Sequence, residues 1–235
     1  MKQPPNHPLQ KPHFLARHGL RSAAFALFAS MLALVCPAPA FAHPHVRVSV
    51  KAVVITDKEG RITAIRHHWT FDEAFSAYAT EGFEKTPDGA FEKAALADLA
   101  KTNVESLGEY GFFTVLRKGG DRRGKDKSTF AEPKDGFLTH DGKALTLHFT
   151  LPVTSAPLLA KEAVMEVYDP TFFVAFDFAA ESPVTMEGSA CTPDIAKPQP
   201  ATTQRLSQMS ERFFQSLSAG NSTADWALPV QFQCP

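Results

Sequence analysis

Leu145, Leu147, Phe149 and Leu151 occupy every second position of one run and alternate with Thr146, His148 and Thr150. A period of two puts the apolar set on one face and the polar set on the other, which only a half-buried strand accommodates. The chain must therefore build a sheet with one dry face. Val46, Val48 and Val50 repeat the pattern, and Val53-Val54-Ile55 continues it. Asp57 to Gly60 is a turn signal, so Arg61 to Trp69 follows as the second strand of a hairpin. Phe112 to Arg117, Val164 to Tyr168 and Thr171 to Phe178 read as further strands, the last two separated by Asp169-Pro170. Strands joined by short turns favour an antiparallel sheet or sandwich.

Helical periodicity interrupts this pattern twice. Asp88 is placed to cap a helix running to about Tyr110, with Leu96, Leu99, Ala100, Leu107 and Tyr110 on one stripe and Asn103 inside it. A second helix is predicted over 203–218, with Leu206, Met209, Phe213, Phe214 and Leu217 on one face and Gly220 at its end. Thr192 to Pro200 is Pro-rich and reads as a linker, and Val230 and Phe232 mark a short final strand. The expected fold class is α+β: a mainly antiparallel sheet or sandwich with an inserted helical segment and a C-terminal helix. No internal repeat is visible.

The N-terminus reads as a secretory leader. Lys2, Lys11, Arg17 and Arg21 precede an apolar stretch over 22–35, Pro37 and Pro39 break it, and Ala40-Phe41-Ala42 offers small residues to a leader peptidase. The stretch is too short for an ordinary membrane span. Cleavage after Ala42 leaves 193 of the 235 residues, enough for one domain with a sizeable core. The leader carries four of the 24 basic residues and none of the 25 acids, so the mature net charge is −5. That balance offers no field for nucleic acid or anionic lipid, and no later segment is apolar enough to span a membrane. The expected organisation is a signal peptide over 1–42, a β-rich core domain over 43–191, and a C-terminal unit over 192–235, all of the mature part lying in the periplasm.

Cys36 leaves with the leader, and Cys191 and Cys234 remain. Two cysteines in an oxidising compartment most simply form one disulfide, which would staple the C-terminal unit to the sheet. The alternative is a pair of thiolate metal ligands.

Histidines carry the chemistry that can be read. Cleavage makes His43 the first residue, followed by Pro44 and His45. A free α-amine and the imidazole of His43 chelate one ion together, and His45 adds a second imidazole on the same side of an extended segment. Imidazole suits zinc, copper and nickel. Pro44 lacks an N–H, which rules out the amide-nitrogen copper or nickel site that a third-position histidine otherwise builds. His67 and His68 are adjacent on a strand and point apart. His67 shares a face with Ile65 and Trp69 and is the better candidate for a further ligand; its competing reading is a core histidine. His68, Asp72 and Asp169 are further candidates, although Asp72 also reads as a helix cap and Asp169 as a turn residue. His148 falls on the polar face of its strand and reads as solvated. There is no G-x-S-x-G, no H-E-x-x-H and no phosphate-binding glycine loop, so the chain is not read as an enzyme.

Three stretches stand together: His43-Pro44-His45-Val46; Arg66-His67-His68-Trp69-Thr70-Phe71-Asp72-Glu73-Ala74-Phe75-Ser76; and Val167-Tyr168-Asp169-Pro170-Thr171-Phe172-Phe173. With Asn103 to Leu107 and Glu109-Tyr110-Gly111, they resemble a bacterial family catalogued as domain of unknown function one thousand and seven. Its members are labelled periplasmic components of ABC-type transport systems, look like companions of nickel/cobalt-type permeases, and are in some cases implicated in zinc acquisition. The resemblance implies a periplasmic divalent-metal-binding accessory of an inner-membrane metal permease, with zinc first and nickel, cobalt or copper as alternatives. Two other readings compete: a non-metal adaptor that binds the transporter, and a copper enzyme with an N-terminal histidine site. Many relatives carry an EF-hand-like loop where this chain has Glu84 to Phe91; Lys85 and Pro87 spoil the ligand set calcium needs, so no calcium site is expected.

Overall fold

Alternation along the chain becomes eleven strands in a computed structural model that describes residues 45–121, 127–171, 173–197 and 227–235. Strand β1 (Val46–Thr56) and β2 (Ile62–Phe71) form the expected hairpin, closed by an Asp57 N–H to Arg61 carbonyl bond. β6 (Leu145–Ser155) lies antiparallel on the other side of β2. It is flanked by β4 (Thr129–Phe130) and β5 (Lys134–His140). β8 (Val174–Phe178) and β9 (Val184–Glu187) pair in parallel with successive halves of β1, which completes a seven-stranded sheet. A second sheet has the order β10 (Thr192–Ile195), β11 (Val230–Gln233), β7 (Ala163–Val167), β3 (Thr114–Lys118). The sheets are thus mainly antiparallel, with β1 as the site of mixed pairing.

The dry face of β1 is covered in two parts. Val46, Val48 and Val50 join Trp69, Leu145, Leu147 and Phe149 in a cluster that also takes Ala100 and the flanking leucines of the inserted helix. Ala52 and Val54 join Ile62, Ile65, Leu116, Met165, Val230 and Phe232, so this half packs against the second sheet. A continuous strand with inward residues at every second position therefore serves two partners.

Two α-helices occur among the described residues: α1 (Glu73–Ala79) and α2 (Lys93–Leu107). Asp72 caps α1, as the sequence predicted, accepting from the Phe75 N–H at 2.8 Å. α2 starts later than expected. Asp88 does not cap it; Glu92 stands at its N-cap, without a side-chain cap bond. The reason is local: Thr86 to Ala90 closes a turn, with Gly89 at φ +84° and the Asp88 carboxylate accepting from the Thr86 hydroxyl. Past α2, Gly108–Phe113 tightens into a 3₁₀ segment, and Gly111, Phe112 and Phe113 all take left-handed φ.

The segment predicted as a linker is partly strand. Thr192–Ile195 forms β10, opposite Val230–Gln233 of β11. Pro193 obscured this in the sequence, yet an edge strand tolerates a residue with no N–H. The pairing sets Cys191 beside Cys234, and the two form a disulfide. The predicted C-terminal helix lies outside the described residues. The described residues all fall in one unit, Phe41–Pro235. Among them no helix is long and apolar enough to cross a membrane.

Candidate functional site

The sequence candidates do not converge on one point. His45 precedes β1, is exposed, donates its N–H to the Phe173 carbonyl at 3.0 Å, and sets its ring 4.6 Å from that of Phe173. His43 lies outside the described residues. His67 stands opposite Ala52, seven positions beyond His45 along β1, or roughly 23 Å at the rise of a strand. His45 is exposed, while His67 is 0% exposed and points into the core. The expectation that His67 supplements the N-terminal pair therefore conflicts with strand geometry.

His67 is instead satisfied internally. The Trp69 indole N–H donates to its Nδ1 at 3.2 Å. An indole nitrogen only donates, so the ring proton sits on Nε2. Nε2 faces the Thr114 hydroxyl at 3.3 Å, which in turn donates to the Phe112 carbonyl at 2.8 Å. The ring stacks on Phe149, with centroids 5.0 Å apart. Burial, aided by the nearby His68, lowers its pKa to about 3, so the ring stays neutral. Both nitrogens are engaged, and a metal would have to displace one of these bonds.

The two acids hold backbone. Asp72 accepts from the N–H groups of Phe75 and Arg47, each at 2.8 Å, tying α1 to β1. Burial is the largest single influence and raises its pKa, but the backbone donors together outweigh it and lower the pKa overall. Asp169 is buried and accepts from the Thr171 N–H, the Thr171 hydroxyl and the Val174 N–H. It shapes the crossing by which the chain leaves β7 in one sheet for β8 in the other. Turn geometry is thus the stronger account of both acids.

Sequence reasoning missed one contact. His68 on β2 lies directly opposite His148 on β6, and their Nδ1 atoms are 2.6 Å apart. Alternation correctly placed both on polar faces, but nothing in the sequence told which strands are neighbours. Burial lowers the pKa of both rings, assisted at His68 by Arg66 and Lys51 and at His148 by His68. A separate cleft of about 340 Å³, lined by Tyr110, Phe113, Thr114, Ser128, Phe130 and Tyr168 among others, opens beside the left-handed segment.

The family described as "Protein of unknown function (DUF1007)" matches residues 28–234. The chain belongs to this family. It is also similar to an uncharacterized protein of Haemophilus influenzae, at 24% identity over 194 residues, covering 81% of this chain and 87% of the relative. Neither description names an activity, so the chemistry must be argued from the residues.

Proposed function

We propose that this family member is a periplasmic divalent-metal-binding protein serving an inner-membrane metal permease, with zinc as its first ion and nickel, cobalt or copper as alternatives. One observation carries the reading: the histidine two residues past the new terminus is surface-exposed and tied to the domain through its backbone and ring. Cleavage after Ala42 would give His43 a free amine, and that amine, its imidazole and the His45 imidazole lie within three residues. Gathering them on one ion costs little chain entropy, because His45 is already anchored at the mouth of β1. The resemblance to companions of nickel/cobalt-type permeases supplies the transport setting. His67 lies outside this site.

Calorimetry with zinc tests the reading on three mature proteins: the native terminus, a version with one extra residue before His43, and His45→Ala. The native protein should bind tightest, since an added residue removes the amine and His45→Ala removes an imidazole. Binding should weaken in acid, where protons compete for the same nitrogens. Equal affinity in all three would sink the N-terminal site. It would favour the adaptor reading, which finds support in the exposed rings of Tyr110 and Phe173.

A further inference from the structure

The outer face of the seven-stranded sheet holds a pair of side chains that the N-terminal reading does not use. His68 and His148 face each other across β2 and β6 with their Nδ1 atoms 2.6 Å apart. We propose that these two imidazoles form a half-site for a divalent transition-metal ion, with copper(II) preferred over zinc.

The surroundings orient the rings as a ligand pair requires. His148 stacks on Phe137, with centroids 4.4 Å apart and planes inclined by 10°. Its outer nitrogen, Nε2, lies 2.9 Å from the Thr139 hydroxyl of β5. An Nε2–H donated to that oxygen leaves the Nδ1 lone pair directed at His68. Metal-bound histidines are held in this way, with the second ring nitrogen bonded to a fixed partner. In the metal-free protein one Nδ1–H bridges the two rings. An ion in place of that proton sits about 2.0–2.1 Å from each nitrogen and needs the nitrogens about 3 Å apart, which a small rotation of half-buried rings provides.

The charges around the pair decide which ion it takes. Lys51 stands opposite His68 on β1, and Arg66 lies two residues before it, paired with Glu187 at 3.2 Å. Burial first, and these two cations after it, favour neutral His68, the ligating form. The cations also repel a divalent ion, so the site favours the metal with the strongest bond to imidazole, which in the first-row series is copper(II). Among the described residues no group of three or more His, Cys, Asp and Glu side chains could hold a metal ion. The remaining positions fall to water or to a donor from another molecule. A site completed from outside suits an ion that is passed on.

Copper(II), supplied as its glycine complex, tests the site in mature protein whose N-terminal site is disabled by His43→Ala and His45→Ala. One ion per chain should bind, with an electron paramagnetic resonance spectrum split by two imidazole nitrogens. H68Q and H148Q should each weaken binding at least tenfold, and T139V should weaken it about tenfold while leaving two-nitrogen coordination. Unchanged affinity in H68Q and H148Q would overturn the site. Should either variant fold poorly, substoichiometric copper in the otherwise unmutated domain should broaden the ring resonances of His68 and His148 before those of other histidines, and equal broadening would also overturn it. The zinc comparison varies only the terminus and His45, so either site can fail without the other.

Discussion

His67 shows how a residue with metal-binding chemistry is taken up by a fold. Its position two residues before Trp69 on one strand put both on the dry face, and that much was legible in the sequence. The indole N–H then claims Nδ1 from the same strand, while Thr114 claims Nε2, a partner that needs the three-dimensional path of β3 and so escapes a linear reading. The network has a consequence for acid stability. In the fold the ring stays neutral down to about pH 3, whereas the unfolded chain takes up the proton near pH 6.5. The stabilisation is therefore complete above that value and lost as pH falls toward 3. Between pH 6 and 4 the wild type should lose about 1.4 kcal/mol of unfolding free energy per pH unit more than His67→Gln. Urea melts across that range give the comparison, and parallel curves for the two proteins would contradict it. His148 is the opposite case: its polar position was legible, but its partner was not, because cross-strand neighbours depend on sheet order.

At the scale of elements, the strong alternations transferred well. β1, β2, β6 and β11 lie where the pattern put them, and the short helix after Asp72 follows from its cap. The failures have two causes: a pairing partner far away in sequence, and a local turn that competes with the helix start. β10 forms because β11 returns some forty residues later to pair with it, and a proline-containing segment gives no local sign of that. α2 begins late because the Thr86 to Ala90 turn satisfies its own backbone. Two left-handed glycines can be ranked by what surrounds them. Gly188, just past β9, has φ +85°, and a Cβ there would meet the Thr56 carbonyl oxygen at 2.5 Å. Gly89 has a similar φ with open space around it. Gly188→Ala should therefore cost about 2–4 kcal/mol, from backbone strain plus the clash, and Gly89→Ala about 1 kcal/mol, from strain alone. Equal shifts in their urea midpoints would contradict this account of the β1–β9 contact.

Across the whole molecule, the second sheet is held to the first by a shared core, and one covalent link ties two of its own strands together. The Cys191–Cys234 bond spans 43 residues, and closing such a loop contributes roughly 4 kcal/mol in the chain-entropy model. Export behind a leader that carries Cys36 away left this pair as the expected disulfide. The bond fixes β10 against β11, so the C-terminal strand stays seated on β7 even though its connection to β10 is long. A stapled double sheet with a histidine anchored at the start of β1 fits the proposed periplasmic metal binding, in which the ligands are offered from a rigid base. Native mass spectrometry of the protein recovered from the periplasm, equilibrated with zinc, tests it most directly. The expected result is a chain starting at His43 and carrying a zinc ion that is lost when one residue is added before His43. A zinc-free chain under the same conditions, or a chain starting at another residue, would contradict it.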